Sequence, residues 1–275
     1  MTASAELNGK WALVTGASAG IGVALARELA RRGAKLILTA RRAERLKSLS
    51  AEFAAQGIET RIVVADLNDP AAPEQIYDAT NDLAVDILIN NAGLGQYGAF
   101  QSSNPEQEFS MVRVNCEAVV RLSRLFVPRM VERRRGWVLV VASTASFQPL
   151  PYLATYAATK VFDRFFALGL AEEVAQYGIN VTALCPGTTE SEFFEVARAG
   201  VFRKRKLQSA DEVARLAIAA LVRGRRTIIP KWSGWFTAFM VRFAPVGLVT
   251  RIVEKGARPK NQGARERGSE GASEQ

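Results

Sequence analysis

The sequence predicts an α/β fold, a doubly wound parallel sheet of seven strands with helices on both faces, and three observations carry that prediction. Short apolar, β-branched runs alternate along the chain with stretches whose apolar residues recur at helical spacing. Two of these runs, Ile87-Leu88-Ile89 and Trp137-Val138-Leu139-Val140-Val141, are unbroken by polar residues, as expected of strands covered on both faces. The chain has 275 residues and 48% hydrophobic content. It can therefore fill one large core, and domains of this class often run undivided to about 250 residues.

Strands are expected at Trp11–Thr15, Lys35–Ala40, Glu59–Ala65, Asp86–Asn90, Gly136–Ala142, Ile179–Cys185 and Arg226–Ile229. Between the first two, Ile21, Leu25 and Leu29 share one helical face before a stop at Gly33. Residues 1–230 are read as one nucleotide-binding and catalytic domain, 231–257 as an apolar extension, and 258–275 as a polar tail expected to be disordered. No internal repeat occurs at solenoid periods. In such sheets ligands bind beyond the carboxyl ends of the strands, where the topology reverses. The segments that follow strands are accordingly the places to look for chemistry.

Composition narrows that chemistry. The chain has no histidine, which removes histidine-based triads and the commonest metal-ligand sets, and no metal site is expected. Cys116 and Cys185 lack metal-ligand spacing and lie in apolar surroundings, so both are read as buried reduced thiols. The first ten residues lack the layout of a secretion signal, and no uninterrupted apolar run reaches the roughly 18 residues of a membrane span. A cytoplasmic location is expected. The net charge of +9 resides in the C-terminal third, with 17 basic and 6 acidic residues from Arg198 onward. No aromatic-basic interleaving or reading helix accompanies it, so nucleic-acid binding is not expected.

Directly after the first strand comes Thr15-Gly16-Ala17-Ser18-Ala19-Gly20-Ile21-Gly22, with helical periodicity resuming at once. Gly16 permits the tight turn, Gly20 lets backbone approach a pyrophosphate, and Gly22 allows close helix packing. Ser18 and Ile21 complete the cofactor-facing turn. At the end of the second strand, where an NAD-specific site would place a carboxylate, the chain reads Ala40-Arg41-Arg42. Arginine there suits a 2′-phosphate, so NADP(H) is the expected cofactor, with Arg41 its principal contact. The arginines could instead open a solvated helix. Asp66, after the third strand, is read either as an adenine contact or as a helix cap near Asp69-Pro70.

Tyr156 and Lys160 are one helical turn apart, so an ammonium can lie near a phenol. A phenol ordinarily titrates near 10, and a nearby positive charge draws it toward neutrality. Tyr156 is then a proton donor for carbonyl reduction, or an acceptor for alcohol oxidation. Ser143, after the fifth strand, could donate to the substrate oxygen and stabilise alkoxide character.

These residues together resemble the short-chain dehydrogenase/reductases, over about Asn8 to Ile229. The likeness rests on the glycine motif, Asn90-Asn91-Ala92-Gly93, Asn115, Ser143, Tyr156-x3-Lys160 and Pro186-Gly187, each after the appropriate strand. It implies a Rossmann-like fold and hydride transfer between NADP(H) and a carbonyl or alcohol. It further implies that Tyr156 and Lys160 also contact the cofactor, with Lys160 on the nicotinamide ribose. Asn115 would hold a water that connects Lys160 to solvent, and Asn91, Ala92 and Gly93 would border the adenosine ribose. After Pro186 and Gly187, a small polar residue would meet the carboxamide, for which Thr188, Thr189 and Ser191 are available. Homodimers or homotetramers are implied, often built on the helices bearing Asn115 and Tyr156. A catalytically silent nucleotide-binding scaffold, or lyase or epimerase chemistry, would use the same frame.

The substrate pocket is expected along Leu94–Phe100, Ser146–Tyr152 and Glu190–Phe202, with Leu94, Tyr97, Phe147, Leu150, Leu153, Phe193 and Phe194 as its apolar lining. That lining favours a hydrophobic ketone, aldehyde, alcohol or acyl compound. Residues 231–257 carry Trp232, Trp235, Phe236, Phe239, Met240 and Phe243, several on one helical face. They could form a lid, a subunit contact or a peripheral membrane-surface segment.

Overall fold

The computed structural model describes residues 6–193, 197 and 207–259. Its seven strands are β1 (Trp11–Thr15), β2 (Lys35–Ala40), β3 (Thr60–Val64), β4 (Val85–Asn90), β5 (Gly136–Val141), β6 (Ile179–Leu184) and β7 (Thr227–Ile228). All neighbours pair in parallel, in the order β3-β2-β1-β4-β5-β6-β7. The order reverses between β1 and β4, which opens a crevice above their carboxyl ends.

Side-chain alternation along each strand feeds two cores. Ala12, Val14, Leu36, Leu38, Ile87 and Ile89 point to the face covered by α1 (Gly20–Arg31), α2 (Ala43–Ala54) and α7 (Ala210–Val222). Leu13, Ile37, Leu88, Val138 and Val140 point to the other, under α3 (Ala72–Asp78), α5 (Ala118–Glu132) and α6 (Ala154–Ala175). β4 and β5 are buried throughout, matching their unbroken apolar sequences.

One helical region departs from expectation. α4 (Pro105–Val112) is capped by the Asn104 side chain, which accepts from the Glu106 amide, and it continues into a π-helical turn over Arg113–Glu117 before α5. The wider turn carries Asn115, and such bulges concentrate at functional sites. Beyond β7, residues 231–257 hold two helices, α8 (Trp232–Val241) and α9 (Val246–Ala257), broken at Pro245. The tail from residue 260 lies outside the described residues, as does Phe194.

Candidate active site

The carboxyl ends of the central strands open into one cavity of about 1150 Å³. Gly16, Ser18, Gly20, Ile21, Gly22, Arg41, Asp66, Asn91, Ala92, Gly93, Ser143, Tyr156, Lys160, Pro186, Gly187, Thr189 and Ser191 all line it. Asn115 stands behind that wall, fully buried.

At one end the chain makes the glycine turn. Gly16 and Gly20 adopt positive φ of 64° and 53°, which side chains disfavour. A Cβ on Gly22 would lie 2.3 Å from the Gly16 carbonyl oxygen, so the helix can start this close to the turn only with glycine there. Asn91 and Thr15 fix the junction. Asn91 Nδ2 donates to the Thr15 carbonyl at 2.8 Å, and Thr15 Oγ1 accepts from the Asn91 and Ala92 amides, both at 2.9 Å. The first turn of α1 receives no side-chain cap, which leaves its amides directed at the cavity for an anion. The cradle thus fits a pyrophosphate.

Three guanidinium groups gather at the rim of this turn. Arg41 is exposed and lies 3.8 Å from Asp66, whose Oδ1 accepts from the Asn68 amide. Arg42 reaches the turn directly, donating to Ser18 Oγ at 3.1 Å, and it pairs with Glu192 at 2.7 Å. Arg45 meets the same carboxylate at 2.5 Å. Hydrogen bonds from Arg42 and Arg45 hold the Glu192 carboxyl below the usual range. Arg42 therefore bonds the cradle itself, whereas Arg41, the residue favoured by sequence, lines the same cavity beside Asp66. The doubled arginine was visible there, but the carboxylate about 150 residues away was not.

At the other end α6 presents Tyr156 and Lys160 on its cavity face, with Lys160 Nζ 6.0 Å from the Tyr156 ring centre. Ser143, just after β5, lines the same cavity as Tyr156, and its Oγ accepts from the Ala145 amide at 3.1 Å. Lys160 Nζ donates to the Val141 carbonyl and to Asp163 Oδ2, each at 2.9 Å. Asp163 is buried, one turn along the same helix, and its other carboxylate oxygen has no hydrogen-bond partner.

Desolvation sets the electrostatics. Burial pushes the Tyr156 phenol above its ordinary value, Lys160 and Ser143 pull it down, and Asp163 adds to the rise. A simple phenol–ammonium pair would draw the phenol toward neutrality; here the surroundings win. Burial works against the charge on Lys160, yet Asp163 and Tyr156 hold the ammonium above its usual value. Asp163 was the electrostatic partner that sequence reasoning missed, because a charge at this spacing reads like a solvated helix face.

Asn115 is held by neighbours rather than aimed into the cavity. Its Oδ1 accepts from the Leu94 amide at 2.8 Å, while Nδ2 donates to the Leu94 carbonyl and to Thr159 Oγ1, both at 2.9 Å. A Cβ on Gly93 would lie 3.4 Å from Lys160 Nζ and 3.5 Å from Asn115 Oδ1, ordinary contact distances, which places the backbone of Gly93 directly against both groups. Thr189 turns into its own loop, donating to the Gly187 carbonyl at 3.0 Å. Ser191 closes over the glycine turn, where a Cβ on Gly20 would meet its own Cβ at 2.7 Å.

The apolar part of the wall comes from Leu94, Phe147, Leu150, Leu153 and Phe193. The Phe193 ring lies 5.2 Å from that of Tyr156 and occupies the space left by Gly95. Tyr97, expected in this wall, is instead a tether: its hydroxyl donates to the Ala257 carbonyl at 2.6 Å. Tyr152 does the same to Glu254 at 2.9 Å, so the two tyrosines fasten α9 beside the mouth. α8 and α9 complete the wall through Gly234, Ala238, Ile252 and Val253.

This arrangement has counterparts. The sequence model of the short chain dehydrogenases matches residues 10–201. The very-long-chain 3-oxoacyl-CoA reductase of Anas platyrhynchos is 35% identical over 199 residues, covering 69% of this chain and 63% of that protein. The hydroxysteroid dehydrogenase-like protein 1 of Gallus gallus is 32% identical over 253 residues, covering 85% and 76%. Among solved structures, a short-chain dehydrogenase from Sphingobium yanoikuyae in complex with NADPH is 32% identical, with a TM-score of 0.78 over 87% of this chain and 94% of that one. With the glycine turn, the Tyr156-Lys160 helix and the reversed sheet all in place, the chain belongs to the short chain dehydrogenase family.

Proposed function

We propose that this protein is an oxidoreductase that moves a hydride between NADP(H) and an apolar carbonyl or alcohol, of which 3-oxoacyl compounds are the leading class. One observation carries the reading: a phenol, an ammonium and a serine hydroxyl meet at the apolar end of a cavity whose other end is a glycine cradle rimmed by arginines. A 3-oxoacyl reductase and an NADPH-bound dehydrogenase among the relatives support the substrate class and the cofactor.

In this reading Gly16, Gly20 and the amides of α1 hold the pyrophosphate, while Arg41, Arg42 and Arg45 meet the 2′-phosphate. The nicotinamide, when bound, supplies or accepts the hydride. Ser143 and Tyr156 direct their hydroxyls at the substrate oxygen. Tyr156 keeps its proton near neutral pH because its surroundings raise it, and it gives that proton to the oxygen as the alcohol forms. Lys160 faces the developing phenolate and stabilises it. Phe193, Leu150 and Leu153 exclude water from the reacting carbon.

We take residues 1–230 as the working domain, with α8 and α9 as an appended wall. We place the protein in a reducing, cytoplasmic setting, as a homo-oligomer joined through α5 and α6, with residues 231–257 in contact with a membrane surface. The test is NADPH oxidation across apolar ketones, aldehydes and 3-oxoacyl thioesters, with Tyr156→Phe as the control. That variant should keep nucleotide binding and lose about 100-fold or more in turnover. Near-parental rates would remove Tyr156 from its role. Ala40→Asp with Arg41→Ala should reverse the preference between NADPH and NADH, and equal efficiency with both cofactors in the parent would count against the 2′-phosphate site.

A further inference from the structure

Helices α8 and α9 are apolar on two sides at once. Their inner side walls the cavity through Gly234, Ala238, Ile252 and Val253. The outer side of α8 and of the turn after it exposes Trp232, Trp235, Phe236, Phe239, Met240 and Phe243, with Trp232 75% and Phe243 73% accessible, and α9 exposes Val246, Leu248 and Ile252. Four of these rings form a continuous ladder, with centres 5.1, 5.5 and 5.1 Å apart from Trp232 through Trp235 and Phe239 to Phe243. Scattered apolar residues on a surface are ordinary, but a contiguous aromatic strip on a helix without charge or acid marks a face meant to be covered.

Charge says what covers it. From Lys231 to Arg258 the chain holds Lys231, Arg242, Arg251, Lys255 and Arg258 against a single carboxylate, Glu254. Glu254 is already engaged by Arg258 and Tyr152. A second copy related by a two-fold axis would bring this cationic rim against itself, whereas an anionic lipid surface would neutralise it. Among the described residues no helix is long and apolar enough to cross a membrane. Aromatic rings outward and cations around them are the composition of a segment that lies in the interface. Ile252 joins the two sides, since it lines the cavity and is also 63% exposed.

We propose that α8 and α9 dock the protein on anionic bilayers and set the cavity mouth against the lipid, so that an apolar substrate exchanges directly between the bilayer and the site. The exchange rests on the apolar-carbonyl reading above; the docking does not.

The test uses the full-length protein and vesicles of phosphatidylcholine with and without phosphatidylserine. The parent should sediment with the anionic vesicles at least tenfold more than with neutral ones, and brominated lipid should quench its tryptophan emission. Trp235→Glu with Phe239→Glu should abolish both effects. Arg242→Glu with Arg251→Glu should remove the preference for phosphatidylserine. None of these side chains lines the cavity, so turnover of a short, water-soluble ketone should be unchanged, while KM for a long-chain ketone supplied in vesicles should rise at least tenfold. A parent that ignores anionic vesicles overturns docking, including the case where Trp235→Glu with Phe239→Glu merely dissociates a dimer. Vesicle binding with an unaltered KM for the long-chain ketone overturns the exchange. Docking without any carbonyl turnover would leave the surface standing and fell the reaction instead.

Discussion

Asp163 Oδ2 stands 2.9 Å from Lys160 Nζ, and both groups are buried behind Tyr156. The ammonium of the proposed catalytic pair therefore has its own counter-ion, and the Tyr156 phenol and the Cys116 thiol are the other titratable groups that act on it. The carboxylate offsets part of the field that Lys160 exerts on the phenol and helps keep the Tyr156 proton in place. Asp163→Asn removes that negative charge while leaving Lys160 its bond to the Val141 carbonyl. The apparent pKa of alcohol oxidation should then move to lower pH, because phenolate forms more readily. Asp163→Ala should in addition cost about 3 kcal/mol, the typical result of leaving a buried charge unpaired. A pH–rate profile and urea unfolding of both variants read the two effects separately. A pH profile indistinguishable from that of the parent would show that the carboxylate does not tune the phenol.

Glu192 occupies Arg42 and Arg45, which the proposed function assigns to a phosphate. An incoming 2′-phosphate must compete with it. Glu192→Gln should tighten NADPH binding by up to about fivefold, the size expected when exposed ion pairs are relieved. NADH, which lacks that phosphate, should bind unchanged. Arg42→Ala with Arg45→Ala should weaken NADPH binding by about tenfold or more and leave NADH nearly unaffected. Titration by nucleotide fluorescence measures all four affinities, and equal losses for both nucleotides in the arginine variant would place the phosphate elsewhere.

The difference between what the sequence tells and what it withholds follows from range. All seven strands were legible as short apolar, β-branched runs, and the continuous burial of β4 writes itself locally as Ile87-Leu88-Ile89. The glycine turn, Tyr156 and Lys160 were legible for the same reason, as each acts through spacing within one turn. Glu192 on Arg42 and Tyr97 on Ala257 join segments about 150 and 160 residues apart, and nothing in either local pattern announces the partner. Asp163 was close enough to see, yet its burial is decided by the sheet beneath α6. The π-helical turn at Asn115 likewise reflects how α5 packs rather than any propensity of its residues.

Cys185 is buried as expected and Cys116 only half-buried, and desolvation pushes both thiols up to about 12. At pH 8 only roughly one molecule in ten thousand would then carry either thiolate, so labelling by thiol reagents should be slow until the protein unfolds. The linkage has a definite sign. The folded chain keeps protons that an unfolded chain releases above about 8.5, so stability should fall as pH rises from there toward 12. Rapid modification of the native protein near neutral pH would contradict this environment.

Gly22 and Gly169 test whether the cradle is specified by space or by composition. A methyl at Gly22 meets the Gly16 carbonyl at 2.3 Å and Asn91 Nδ2 at 2.6 Å, groups held together because Asn91 Nδ2 donates to both the Thr15 and Gly16 carbonyls. Gly22→Ala should therefore cost about 1–3 kcal/mol through overpacking and weaken nucleotide binding by about tenfold or more as the turn shifts away from α1. Gly169 lies exposed within α6, and a methyl there would touch nothing within 4 Å. Gly169→Ala should instead stabilise the fold by about 0.5–1 kcal/mol through helix propensity and leave nucleotide affinity unchanged. Thermal unfolding with and without NADPH distinguishes these outcomes. If Gly22→Ala bound nucleotide as tightly as the parent, the close approach of α1 to the turn would have no part in holding the phosphates.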